Sequence, residues 1–417
     1  MHQPRTAPEP RAPRARDAVV VAPLAPCFPE VRKIAVLRGG GIGDLLFAEP
    51  AIEALAAAYP EAEVTLLGTG AAALLEGRDG GPDRVVPLPV AQGVHEPRGS
   101  APDPDASERF FSEQRAERYD LAVQLHGGGR FSNPFVAELG ARFAIGTRTD
   151  DALELDRTLD YVYFQHEVLR WLEVAGLAGA APVTLEPRVR VTREERERGR
   201  VAWLDAAGAA GSGSSAGSAG SGSSAGSERD GAASGGGSQE GHAPHVVLHP
   251  GASDARRRWP TDRFGAIAAE LSRRGARVCV IGDESERDIA TAVCEAAVAA
   301  GGAAPVNLAG RLPMRDLPGL LACADLCVAN DSGPRHLAQA VGTRTASVFW
   351  CGNLVNAGPF GRGEHRVQLS WTTRCPVCGR DVTQVGWTAE RCEHELSFVT
   401  DVTVDAVLAD ALALLPG

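Results

Sequence analysis

Lysine is almost missing from this chain. Lys33 is the only one, so nearly all of the 42 basic residues are arginines. Acidic residues number 53, and the formal net charge is −11. That surplus argues against general nucleic-acid binding, which draws on a basic surface. No apolar run reaches the ~20 residues that a membrane-spanning helix needs. The first residues, Met1 to Arg16, are rich in Pro, Arg and Ala. The apolar stretch that follows, Ala18-Val19-Val20-Val21-Ala22, is too short and badly placed for a secretory signal. These absences point to a cytoplasmic protein with a disordered tail over residues 1–30. A dinucleotide fingerprint is missing too. With Gly39 and Gly41 as its first two glycines, the third falls on Asp44. The strand candidate Val64-Thr65-Leu66-Leu67 then runs into Gly68 rather than an acid. That argues against a nicotinamide enzyme.

What is present fills two α/β domains. The 417 residues suffice for two or three domains with ample cores. From about 31 to 190, apolar strand candidates at 33–37, 63–67, 84–86, 121–125 and 143–145 alternate with helical patterns near 44–58, 108–116 and 165–175. Pro50 must either kink the first helix or start its second part. A charged amphipathic helix fits 192–206. Residues 208–242 are then almost entirely Gly, Ser and Ala and cannot bury a core, which predicts a flexible insertion. The second domain, 191–417, resumes the alternation. Its strands fit 245–249, 277–281, 305–308, 325–329 and 345–349. Its helices fit 262–274, 285–300, 314–323, 334–341 and 403–415, with Thr261 and Asp262 as an N-cap and Pro313 at a first helical position. Strands alternating with helices imply parallel sheets.

The polar residues gather where strands run into helices. Asp331-Ser332-Gly333-Pro334-Arg335-His336 follows an apolar strand and opens a helix, whose free N–H groups and dipole make a natural seat for phosphate. Most Asp-Ser-Gly triplets are turns or caps; here it is the combination, in order and in context, that points to a site. His249-Pro250-Gly251-Ala252-Ser253 with Arg256-Arg257-Arg258 follows another strand, and its arginines can neutralise a diphosphate. Glu284 or Glu286, after a third strand, can accept ribose hydroxyls. Near the start, Arg38-Gly39-Gly40-Gly41-Ile42-Gly43 forms a tight loop before Asp44, which serves either as a cap or, facing a cleft, as a general base. Two such sites suggest two α/β domains facing each other across a cleft.

Nine cysteines are present. Cys279, Cys294, Cys323 and Cys327 sit in apolar patterns and read as buried, reduced packing residues. Cys375, Cys378, Cys392 and His394 are within reach of a tetrahedral zinc, but Cys-x-His is an unusual second half. Packing cysteines are the preferred reading, and no metal is assigned.

The motifs resemble those of family 9 glycosyltransferases, the lipopolysaccharide heptosyltransferases and their relatives. Lys33 to Pro60 is similar to their N-terminal motif. Leu248-His249-Pro250-Gly251-Ala252 with Arg257-Arg258-Trp259-Pro260 looks like their second, and Asn330-Asp331-Ser332-Gly333 with His336-Leu337-Ala338 like their third. The resemblance covers about 31–415. It implies a GT-B fold of two Rossmann-like domains with parallel sheets facing a cleft. The N-terminal one lies on the acceptor side, and the C-terminal one binds the nucleotide sugar. It also implies metal-independent, cofactor-free inverting transfer from a nucleoside-diphosphate sugar, ADP-heptose in this family, to a glycan or lipopolysaccharide-like acceptor. Peripheral membrane contact through a lipid-linked acceptor would follow. Carried over, Asp44 matches the catalytic base and Arg257 takes the place of a lysine near the diphosphate. Glu284 matches the ribose acid, with Glu286 close enough to compete. Asp331, Ser332, Gly333 and His336 match the donor loop. His126 and Arg130 are candidates to face the acceptor. The alternative reading is a non-catalytic protein of the same architecture that holds a nucleotide sugar or glycan without turnover.

Overall fold

The structure is a computed structural model that describes residues 24–97, 99–211, 243–383 and 391–415. The chain divides into two compact units between Pro187 and Arg188.

The first unit is built on six strands, β1 (Lys33–Arg38), β2 (Glu63–Gly68), β3 (Arg84–Pro87), β4 (Leu121–Gln124), β5 (Phe143–Arg148) and β6 (Arg157–Asp160). All pair in parallel, in the order β3-β2-β1-β4-β5-β6. Its helices are α1 (Ile42–Ala58), α2 (Pro104–Ala116), α3 (Ser132–Glu138) and α4 (Glu167–Gly176). The central strand β1 is buried beyond its first residue, as a strand covered on both faces must be. Helix α1 runs through Pro50 without interruption.

The second unit repeats the plan. Helix α5 (Arg193–Gly211) leads into β7 (His245–His249), followed by α6 (Thr261–Arg273), β8 (Arg277–Val280), α7 (Arg287–Ala299), β9 (Val306–Asn307) and α8 (Leu317–Ala322). Then come β10 (Leu326–Asn330), α9 (Gly333–Ala340), β11 (Arg344–Trp350), α10 (Cys351–Ala357), β12 (His365–Ser370) and α11 (Val404–Leu414). The sheet order is β12-β11-β10-β7-β8-β9, again all parallel. Counted within each unit, both sheets have the strand order 3-2-1-4-5-6. In each, connections leave to opposite sides from the two middle strands, β1 with β4 and β7 with β10. A crevice opens at the carboxyl ends of such a pair, and ligands bind there.

Several expectations need correction. The tail predicted to run through residue 30 is too long by several residues. The Ala25 N–H donates to the Gly176 carbonyl at 3.0 Å, and Phe28 is buried and stacks on Phe143. Residues 1–23 lie outside the described ones. Helix α5 continues to Gly211, past residue 208 where the Gly/Ser/Ala segment is expected to begin; residues 212–242 lie outside the described ones. Strand β6, strand β12 and helices α3 and α10 were not expected. The two strands are sheet edges, half-buried and charged, and lack the apolar run of a central strand. Helix α6 starts on Thr261 with Pro260 as its cap, and no side chain caps it. Pro313 is itself a cap, before a short 3-10 turn, rather than a first helical residue. Among the packing cysteines, Cys279 and Cys327 are buried, while Cys294 and Cys323 are half-buried. No described helix is long and apolar enough to cross a membrane.

Candidate functional site

In the second unit the site forms where the loops after β7 and β10 meet. Asn330, the last residue of β10, ties them together. Its Oδ1 accepts the Trp259 N–H at 3.0 Å, and its Nδ2 donates to the Pro250 carbonyl at 2.7 Å. Asp331 follows, 2 % exposed, with three side-chain partners. Arg257 Nη1 donates to its Oδ2 at 2.9 Å, Asn353 Nδ2 donates to the same oxygen at 2.6 Å, and His336 Nε2 meets Oδ1 at 3.1 Å. Burial alone would push the carboxyl pKa up. The His336 hydrogen bond and the Arg257 charge outweigh it and hold Asp331 well below the usual carboxylate range. Arg257 also donates to Ser253 Oγ at 2.8 Å. Its guanidinium is thus held on both sides, partly open to solvent, beside the first turn of α9.

Ser332 is the N-cap residue of α9 but makes no side-chain cap bond. Its hydroxyl instead meets His249 Nδ1 at 2.9 Å. His249 is buried and its other nitrogen meets Glu286 Oε2 at 3.1 Å. Burial raises the Glu286 pKa, but the bond from His249 outweighs it and the net shift is downward. Gly251 is what lets this network close: a Cβ there would come within 1.8 Å of Glu286 Oε1.

The two competing acids separate cleanly. Glu286 is 14 % exposed and committed to His249. Glu284 is 72 % exposed and paired only at its tip with Arg287, at 2.5 Å. An exposed carboxylate keeps acceptor sites for a ligand; one that is half-buried and hydrogen-bonded supports the wall. His336 also falls on the supporting side. It is buried, with Nε2 on Asp331 and Nδ1 3.2 Å from Arg335 Nη1. Burial lowers its pKa more than Asp331 raises it. Arg335 and Asn353 were missed by sequence reasoning. Arg335 is fully buried under α9 and donates to Gln339 Oε1 at 2.7 Å and Ser347 Oγ at 3.1 Å; burial brings its pKa down to about 10. The sequence carried a signal for it, an arginine between Pro334 and His336. Asn353 lies on the unexpected α10 and had none.

In the first unit Asp44 is the third residue of α1. Its Oδ2 accepts the Gly41 N–H at 2.8 Å, so its capping role is real. Its Oδ1 pairs with Arg38 Nη2 at 3.1 Å, and the side chain remains 51 % exposed. Gly40, with φ +93°, makes this possible, since a Cβ there would come within 2.6 Å of Asp44 Oδ2. Arg38 is buried, lies over Trp171 at 4.8 Å, and donates to the Leu125 carbonyl at 2.7 Å and toward Glu167 at 3.4 Å. It thereby joins the end of β1 to the end of β4. Beside the glycine loop opens a cavity of about 470 Å³ lined by Gly40, Thr69, Gly93, Val94, Glu96 and His126, among others. Burial, and then the Arg38 charge, push the His126 pKa down to about 4, so the ring is neutral near pH 7. Arg130 does not line this cavity. It is exposed and pairs with Asp151 at 3.4 Å.

Residues 108–380 match the sequence profile of glycosyltransferase family 9 (heptosyltransferase). The chain belongs to glycosyltransferase family 9. The match spans every donor-loop candidate of this family 9 protein, while Asp44 and its glycine loop lie before it. Among relatives, the lipopolysaccharide core heptosyltransferase OpsX of Haemophilus influenzae is 21 % identical over 164 residues, 39 % of this chain and 46 % of that protein. The chain spans less than half the length of each of the curated relatives it matches, from 36 % to 46 %. The solved Escherichia coli ADP-heptose lipopolysaccharide heptosyltransferase II superposes with a TM-score of 0.65 at 18 % identity, covering 92 % of this chain and 98 % of that one. Escherichia coli heptosyltransferase WaaC with ADP does so with 0.57 at 18 %, covering 81 % and 93 %. These likenesses carry the fold, the two-domain GT-B architecture that the motifs implied.

Proposed function

We propose that this family 9 protein is an inverting glycosyltransferase that moves a sugar from a nucleoside-diphosphate donor to a hydroxyl of a glycan or lipopolysaccharide-like acceptor. The observation that carries the reading is the cation at the β7–β10 crevice. Arg257 is held by Asp331 and Ser253 at the start of α9, where negative charge is stabilised. In the proposed reaction Asp44 takes the proton from the acceptor hydroxyl. The oxygen attacks the anomeric carbon from the face opposite the diphosphate, and the bond to the diphosphate breaks. The charge that develops on the leaving group is met by Arg257 and the α9 N-terminus, each worth on the order of 2–4 kcal/mol to the barrier. In this reading no metal ion is assigned to that task. Glu284, exposed on the same rim, accepts the ribose hydroxyls. His336, Asn353 and Glu286 keep Asp331 and His249 in place.

ADP-heptose is the donor favoured by the family, and related solved structures hold ADP or ADP-2-deoxy-2-fluoro heptose. The first-unit cavity beside Gly40 and His126 is the proposed acceptor pocket, and action on the cytoplasmic side follows from the donor class. A panel of nucleoside diphosphates and their sugars tests the reading by thermal shift and by transfer to a truncated lipopolysaccharide core. Protection by ADP-linked sugars together with transfer is the expected result. Binding without turnover across several donors and acceptors would leave a nucleotide-sugar-binding protein instead.

A further inference from the structure

Four side chains away from the donor loops converge in the second unit. Cys375, Cys378, Cys392 and His394 each offer one ligand atom, and these atoms all lie within 4.8 Å of one another. Two short segments bring them together. In the first, Arg374 and Asp381 form an antiparallel bridge, the Cys375 N–H donates to the Arg380 carbonyl at 2.8 Å, and the Gly379 N–H donates to the Cys375 carbonyl at 2.8 Å. Gly379 turns the chain in the left-handed region at φ +72°. This wraps the Cys-Pro-Val-Cys-Gly run into a tight knuckle around the Cys375 sulfur. The N–H groups of Cys378 and Val377 point at that sulfur. In the second segment, Cys392 and His394 flank Glu393. His394 Nδ1 is buried with no hydrogen-bond partner among the described residues.

Packing explains part of this arrangement. Cys375 and Cys392 are buried in the core with Val382, Phe398 and Val399. It does not explain why an exposed thiol, Cys378, and a half-buried imidazole turn toward the same point, nor why a backbone knuckle offers N–H groups to a sulfur. Cysteines that only fill space need no such donors. All nine cysteines are free thiols, so no disulfide accounts for the convergence. Ligands about 2.3 Å from a central ion in a tetrahedron stand about 3.8 Å apart, and the observed cluster needs only a small contraction to reach that.

We propose that Cys375, Cys378, Cys392 and His394 bind one thiophilic divalent metal ion, zinc or iron(II), in a closed tetrahedral site. On binding, the thiol protons leave to solvent as three sulfur–metal bonds form, and the imidazole binds through a neutral nitrogen. No electron moves. Four protein ligands fill the tetrahedron, so the ion has no open position for substrate and its role is structural. The site fastens residues on either side of 384–390 to one point, next to Phe398. The Phe398 N–H donates to the Arg256 carbonyl at 2.7 Å, and its ring lies 5.6 Å from the Arg256 guanidinium. Arg257 is the next residue. The ion thus braces the loop that carries the proposed diphosphate cation. That last link rests on the proposed function; the metal site itself does not.

The test is metal content of the full-length protein, purified reduced and without chelator. Elemental analysis is expected to find about one atom of zinc or iron per chain, with colour separating the two. Cys378→Ser and Cys392→Ser should each fall below about a tenth of that, while Cys27→Ser, outside the cluster, keeps the full amount. Stripped protein refilled with cobalt(II) should show the strong visible bands of a tetrahedral thiolate site. Cys378 is exposed, so its serine variant leaves the core intact even if Cys392→Ser does not fold. Metal-free wild type with no cobalt spectrum overturns the proposal, as does metal content unchanged in both variants. Neither readout needs transfer activity, so failure here and failure of the glycosyltransferase reading are distinguishable.

Discussion

Asp44 follows the first strand of its unit and Asp331 the fourth of its own, each a middle strand of its sheet and each at the start of a helix. Their surroundings are opposite. Asp44 is half-exposed and accepts from one backbone N–H and one arginine, which leaves about half of a carboxylate's acceptor capacity open. Asp331 is buried and its oxygens take an arginine, an asparagine and a histidine. The same residue type at the same kind of corner is therefore suited to two different purposes. An exposed carboxylate with spare acceptor sites can take a proton. A buried one with filled sites can only hold others in position. The local motif does not decide between them; the number of neighbours does.

The largest expected effect breaks this comparison on the first unit. Asp44→Asn should cut transfer by ~10²–10⁴-fold, the scale of a general base. Its melting temperature should change little, since loss of part of a cap is worth about 1 kcal/mol or less. Initial rates and thermal melts on the same samples decide; near wild-type turnover would leave Asp44 a cap and nothing more.

Asp331→Ala tests the other side. Removing a buried carboxylate leaves Arg257, His336 and Asn353 without their shared partner, so the second unit should lose ~3–5 kcal/mol of stability. Denaturant unfolding measures this, and a loss under about 1 kcal/mol would mean that Asp331 behaves like a surface ion pair.

Arg257→Ala sharpens the comparison further, because it removes the cation but spares its holder. Nucleoside diphosphate should bind ~10-fold more weakly, and Arg257→Lys should recover part of that, as a point charge without the fork. Calorimetry with ADP, UDP and GDP would show it. Unchanged affinity in Arg257→Ala for every nucleotide that binds the wild type would remove the donor site from this crevice.

A more gradual effect is on stability against pH. Burial holds His126 in the first unit and His365 in the second down to about 4. Their folded pKa values lie below the unfolded ~6.5, so the unfolded chain binds more protons between those limits. Stability should be complete above about pH 6.5 and fall toward pH 4, by on the order of 2 kcal/mol for His126. Asp331 acts at lower pH: its depressed pKa contributes stability above the ordinary carboxylate range, lost only as pH falls through the depressed value. Melting curves from pH 7 to 4 should therefore show an early loss that His126→Gln reduces. A profile flat over that window in the wild type would contradict the burial of both rings.

Much of the fold was legible because central parallel strands are buried on both faces and write continuous apolar runs, as at Leu326-Cys327-Val328-Ala329. The edges wrote little. Strand β6, Arg-Thr-Leu-Asp, and strand β12, His-Arg-Val-Gln-Leu-Ser, carry charge because one side of an edge strand meets solvent. Helix α10 is short and without apolar periodicity, and with it Asn353 stayed hidden.

At the candidate site, sequence alone picked out the loops that meet at the crevice. Glycine and helix-start chemistry are local properties, and the parallel alternation of strands and helices places those loops at the carboxyl ends of the sheet. It could not determine which side chains in those loops are available. Glu284 and Glu286 are two residues apart, yet one faces solvent and the other closes on His249. His336, matched to the donor loop by resemblance, lies buried against Asp331 and Arg335. Cys375, Cys378, Cys392 and His394 read as packing and converge on one point. Availability depends on burial and on partners distant in the chain, and only packing in three dimensions sets those.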